Sequence, residues 1–98
     1  MYKEKIENYV DKSDRVKFII NLPQDKELLA IEFIKENNEY FCLSWPVNEV
    51  EPGKYEDIDP EHNTIKESID VLPEEVLKMF TEKWEQMIVQ TIFKDKNE

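Results

Sequence analysis

Residues 27–45 read ELLAIEFIKENNEYFCLSW, and the fold turns on how this stretch is read. Leu29, Ile31 and Phe33 share one face of an extended chain and Glu32 takes the other. Beyond Asn37-Asn38, Phe41, Leu43 and Trp45 alternate with Tyr40, Cys42 and Ser44. Helix competes for the first run, because Leu, Ala and Glu are good helix formers. Strand is the better reading, because two alternating runs flank an Asn-Asn pair and asparagine tolerates the positive φ of a tight hairpin turn. Pro46 then ends the second strand or keeps it at a sheet edge.

Upstream, Pro23-Gln24-Asp25-Lys26 is a turn signal, and residues 15–22 (RVKFIINL) alternate again. Val16, Phe18, Ile20 and Leu22 share a face in a third strand. At the start, Tyr2, Ile6, Tyr9 and Val10 make one apolar stripe at helical spacing. That predicts a short amphipathic helix over residues 1–10, ended by Asp11-Lys12-Ser13-Asp14. Downstream, Val76, Leu77, Phe80, Trp84, Met87, Ile88, Thr91 and Ile92 recur at steps of three and four. They predict a helix over 71–93, with Pro73 in the first turn, acids Asp70, Glu74 and Glu75 at its start, and Lys94 and Lys96 at its end. Met79, Val89 and Phe93 widen its apolar arc, which leaves a surface for a homodimer. Trp45 and Trp84 belong to the core on this reading, and Cys42 is a small buried hydrophobe. The expected architecture is α+β. A three-stranded antiparallel meander is covered on its apolar face by a long C-terminal and a short N-terminal helix, in one domain over 1–98. Residues 47–70 form a long connection of weak periodicity, with a short strand possible near 64–69.

Composition narrows the chemistry. The 98 residues contain one glycine, Gly53, so glycine-rich phosphate cradles are excluded. One cysteine allows no intrachain disulfide, and one histidine beside it excludes the standard zinc sets. The longest apolar run is Leu28 to Ile31, too short for a membrane helix or a signal-peptide core, and a cytoplasmic location is expected. Ser13, Ser44, Ser68 and Cys42 have no local nucleophile signature, and no catalytic residue, cofactor or metal is expected.

Charge is the main clue. Asp plus Glu number 23 against 13 Lys plus Arg, a net charge of −10. Phosphate backbones repel such a chain, so direct nucleic-acid binding is not expected, and a basic protein surface is. Residues 47–75 hold ten acids against Lys54 and Lys66, and so carry −8 of the −10. Glu74 and Glu75 have a helix-capping explanation. A solvated loop that keeps the protein soluble explains the others as well as a docking surface does. The docking reading takes Glu49, Glu51, Glu56, Asp57, Asp59 and Glu61 as the negative surface and Tyr55 as its aromatic anchor. Asp57, Asp59 and Glu61 also match the start of a calcium loop. The match then fails at His62 in the glycine position and Ser68 in the glutamate position.

The order of short helix, RVKFIINL, KELLAIEFIKENNEYFCLS and later helix, on a small glycine-poor acidic chain, resembles small phage anti-CRISPR inhibitors. The resemblance lies in element order and charge, and it implies a protein that presents acidic side chains to the basic groove of a nucleic-acid-handling enzyme. It transfers no residue. The expected function is therefore a non-enzymatic inhibitor docking on the basic surface of a nuclease or similar protein. Two alternatives stand beside it: an immunity protein neutralising a nuclease toxin, and a structural subunit dimerising through the C-terminal helix.

Overall fold

Asn37 and Asn38 take φ angles of 51° and 65° in the computed structural model of the chain. Positive φ at both central residues is the signature of the two-residue turn whose twist matches paired strands. The structure describes residues 2–13, 16–22 and 27–96, with the side chains of Leu22 and of residues 89–96 left aside. The Pro23–Lys26 turn, Asp14 of the cluster expected to end the first helix, and the side chains expected on the apolar arc of the last helix at Val89, Thr91, Ile92 and Phe93 thus lie outside the described residues.

The elements follow the order α1 (Tyr2–Lys12), β1 (Val16–Leu22), β2 (Glu27–Glu36), β3 (Glu39–Glu51), β4 (Lys54–Asp57), α2 (Pro60–Asn63) and β5 (Ile65–Ser68). A 3-10 turn (Ile69–Val71) then leads to α3 (Glu74–Lys96). The fold is α+β: β1, β2 and β3 form the antiparallel meander, and α1 and α3 pack over it. Two further strands widen the sheet, β5 and β4, both paired with the long β3.

Two expectations are corrected here. Pro46 does not end its strand; β3 runs through it to Glu51. In a strand, the N–H and C=O of one residue point to the same edge. Pro46 O accepts the Ile58 N–H at 3.0 Å, so the missing N–H of Pro46 faces that edge too, away from β2. There it falls in the gap between β5, whose pairing ends at Ser44, and β4, whose pairing starts at Val47. No bond to β2 is lost. Second, residues 47–70 are not a structureless connection. They form the end of β3, then β4, the single turn of α2, and β5, with the expected short strand at 65–68.

The two-residue turn also sets which side chains meet. It places Phe33 opposite Cys42 and Ile31 opposite Ser44. The face under the helices therefore carries Val16, Phe18, Ile20, Ile31, Phe33 and Cys42, packed with Ile6 of α1 and with Leu77 and Phe80 of α3. Phe18 is the hub, with ring centroids 6.2 Å from Phe33, 5.8 Å from Phe80 and 6.4 Å from Trp84. Phe41, Leu43 and Trp45 project from the opposite face by alternation. There Trp45, Ala30 and Val47 form a second cluster with Ile19, Leu28 and Leu43, and among the described residues no helix side chain belongs to it. Trp45 is buried, as a core reading requires, but beneath the other face of the sheet. Trp84 is half-buried against the main core, and its Nε1 finds no acceptor among the described residues.

Polar contacts lock the layers. Asp11, at the end of α1, accepts from the Tyr40 hydroxyl at 2.9 Å and lies 3.4 Å from the Lys35 ammonium. The Tyr9 hydroxyl donates to Glu85 of α3 at 2.6 Å. Thr81, 2% exposed, enters the core of α3 by donating its hydroxyl to Leu77 O at 2.7 Å.

Candidate docking surface

Val47 ends the buried part of β3, and each of the next twenty residues, 48–67, is exposed. They are nevertheless ordered as strand, turn, strand, helical turn and strand. This segment is an arm held by backbone pairing, with almost nothing of its own in the core. Pro52-Gly53 turns the chain, and Gly53 is needed there for its φ of +82°. A register shift between Glu49 and Glu51 leaves Val50 as the extra residue of a bulge.

Alternation and this bulge distribute the seven expected site residues. Glu49 pairs with Tyr55, and Val47 with Asp57, so Glu49, Tyr55 and Asp57 share the face that carries Trp45. Glu56, paired with Asn48, points to the other side. Glu51 lies beyond the bulge and its carboxylate is 3.3 Å from the Lys54 ammonium. Asp59 precedes α2 in a left-handed backbone conformation (φ 39°), and its carboxylate meets His62 Nδ1 at 2.9 Å rather than capping the helix. Glu61 sits in the same turn and is exposed. The single anionic patch expected from the sequence is therefore divided, with one group on the Trp45 face and the rest around the tip and the α2 turn. The reason is the two-residue alternation of β4, which sends Glu56 away from its neighbours Tyr55 and Asp57.

Several of these groups have internal partners. Trp45 Nε1 donates to Asp57 Oδ1 at 2.7 Å, which ties β4 to the sheet face. The Lys17 ammonium stands 5.1 Å from the centroid of the same indole. Partial desolvation, with help from a hydrogen bond to Glu49, pushes the Tyr55 phenol above its ordinary range, so it remains a neutral donor at physiological pH. Lys66 is engaged with Glu36 and lies over the Phe41 ring. Both lysines of the acidic segment are thus held by carboxylates, Lys54 by Glu51 and Lys66 by Glu36.

The arm also bears side chains that charge counting overlooks. Val50, Tyr55, Ile58 and Ile65 are among the exposed large hydrophobics of the chain, at 55%, 41%, 37% and 57%. No periodicity marks them in the sequence. Their one signal is isolation, as apolar residues set singly among acids. Among the described residues, no group of three or more His, Cys, Asp or Glu side chains is arranged to hold a metal ion. Asp57 turns to Trp45 and Asp59 to His62, which pulls the calcium-like triplet apart. No helix among the described residues is long and apolar enough to cross a membrane. On α3, Met79 and Ile88 are exposed at 44% and 36%, while Val89 and Phe93 of the expected dimer arc lie outside the described side chains. No protein-family model, curated protein or solved structure matches this chain.

Proposed function

We propose that the protein is a non-enzymatic acidic inhibitor that docks on the basic, phosphate-binding surface of a nuclease or similar protein. One observation carries the reading: an ordered arm of twenty exposed residues that bears acids and isolated apolar side chains. A core does not need such an arm, and a loop kept only for solubility does not need its strands. Its two lysines are already matched, so Glu49, Glu56 and Glu61 are left to act outward. Val50, Tyr55 and Ile58 supply the apolar contact that carboxylates alone lack, which favours a protein surface over a purely ionic partner. Glu49, Glu51, Tyr55, Glu56, Asp59 and Glu61 are the docking residues on this reading. Asp57 acts through the arm's attachment.

Complementary charge speeds encounter, and exposed charges are screened beyond about 8–10 Å at physiological salt. Association should therefore slow steeply as salt rises. The test is a pull-down with the wild type and with a variant in which Glu49, Glu51, Glu56, Asp59 and Glu61 become Gln or Asn, leaving Asp57 on Trp45. The wild type alone should recover the partner. Equal recovery by both would remove the arm from the docking surface. Association through α3, favoured by the exposed Met79 and Ile88, separates in the same experiment, because an apolar contact persists at high salt.

A further inference from the structure

A groove opens on the helix-covered face of the sheet, away from the arm's charged tip. It exists because α1 and α3 pack on each other and over β1 and β2, leaving the β5 end of that face uncovered. Leu29 and Ile31 form its floor, and Val76 and Met79 of α3 form one wall. Ile65 and Glu67 of β5 stand on the opposite lip, with Cys42 and Ser44 between. Its volume is about 250 Å³.

Among the described residues, the lining carries a single formal charge. Burial, and secondarily the nearby Glu67 carboxylate, push the Cys42 thiol up to about 12, so it stays neutral. Among the described residues, no lysine or arginine lines the groove, and Glu67 is its one carboxylate. An anionic amphiphile such as a fatty acid would set its head group against Glu67 in a chain already at −10. A neutral apolar molecule would gain nothing from the exposed carboxylate at the lip. We propose that this groove is a binding site for an amphiphilic cation, its apolar stem lying between β2 and α3 and its ammonium group meeting Glu67. An apolar cavity of about 150 Å³ holds a six-carbon ring, so this one has room for a stem of about eight carbons. The site is separate from the docking arm in all but β5, and it does not depend on the inhibitor reading.

The experiment titrates the full chain with octylammonium, octanol and octanoate while following the methyl signals of Ile31, Ile65 and Met79 by NMR. Octylammonium should give saturable shifts at these methyls and bind at least tenfold more tightly than octanoate, with octanol between. Glu67→Gln should bring octylammonium down to the affinity of octanol and leave octanol unchanged. Met79→Trp should weaken the alcohol and the ammonium alike, by obstructing the wall without adding charge. The proposal is overturned if no saturable shift occurs at these methyls, or if the three head groups bind equally. It also fails if the ammonium perturbs Glu49, Glu56 and Glu61 as strongly as the groove, which would mark general attraction to an acidic protein. The five-acid variant of the arm should bind octylammonium as the wild type does. Loss of partner capture without loss of this binding, or the reverse, therefore tells the two readings apart.

Discussion

Removing the Asp57 carboxylate should loosen the arm without loosening the sheet. The indole Nε1 of Trp45 donates to Asp57 Oδ1 at 2.7 Å, from a ring that is 8% exposed. A hydrogen bond to a charged group contributes about 1.5–3 kcal/mol, and the exposed position of Asp57 on β4 favours the lower end, about 1.5 kcal/mol. Because residues 48–67 are all exposed, the arm can open while the two hydrophobic clusters stay closed. Opening is read at the Ile58 amide, which donates to Pro46 O at 3.0 Å beside the tie. Hydrogen exchange there should quicken about tenfold in Asp57→Ala, the equivalent of about 1.4 kcal/mol. Asp57→Asn keeps an acceptor without its charge and should quicken exchange about threefold, since a charge-assisted bond is about twice as strong as a neutral one. Trp45→Phe added to Asp57→Ala should give no further acceleration at Ile58 beyond what the lost indole causes across the sheet. Exchange at Ala30, paired on both sides within the meander, should stay as in the wild type in both Asp57 variants. An unchanged Ile58, or equal acceleration at Ile58 and Ala30, would refute the reasoning. The first result means that the tie contributes nothing, and the second that the arm and sheet open as one unit.

Other consequences follow from the core and the turn. Asn38→Val should destabilise by about 1–2 kcal/mol in urea unfolding, because a β-branched residue must hold the φ of 65°, while Asn38→Gly should be neutral or stabilising. Phe80→Ala empties a site ringed by Phe18 and Phe33 and should cost about 3–5 kcal/mol, a large share of a small domain's stability. Alkaline pH should destabilise the fold. The Tyr9 phenol is pushed up from 10.0 to about 12 by burial and by its bond to Glu85, and the Cys42 thiol from 9.0 to about 12 by burial and Glu67. The unfolded chain thus releases these protons first. Their contribution is whole below pH 9.0 and is lost as the pH rises toward about 12; Tyr9→Phe and Cys42→Ala should each flatten that fall in urea midpoints. At neutral pH the same Cys42, 6% exposed, should react with iodoacetamide only on unfolding.

The hairpin of β2 and β3 was legible because alternation of period two and an Asn-Asn pair are both local signals. Parity across the turn was the subtler part. A two-residue turn sets Phe33 against Cys42 and so sends Phe41, Leu43 and Trp45 to the other face, although their size suggests the main core. The four-residue β4 could not be read, and β5 showed only as a short strand possible near 64–69, because every side chain of β4 is exposed, as are Ile65, Lys66 and Glu67 of β5, so burial imprints no alternation on them. The long β3 serves as their template, and the proline within it signalled a stop because its free edge is a tertiary fact. For the candidate site, charge located the segment but not the arrangement. The Val50 bulge, the left-handed Asp59 and the Trp45–Asp57 bond decide which way each carboxylate points, and none of them has a compositional trace. Thr81 was hidden for a similar reason: its hydroxyl is satisfied within the helix, so a polar residue fills a core position.

Competition with nucleic acid puts the central claim to its most direct trial. A partner captured on the immobilised protein from the cells that carry its gene would be challenged with a short duplex DNA and, in parallel, with the five-acid variant in solution. If the arm occupies a phosphate-binding surface, the duplex should release the partner in proportion to its concentration, and the variant should release none. A partner that binds the duplex while still held on the column, or that the variant displaces as well as the wild type does, would contradict the account.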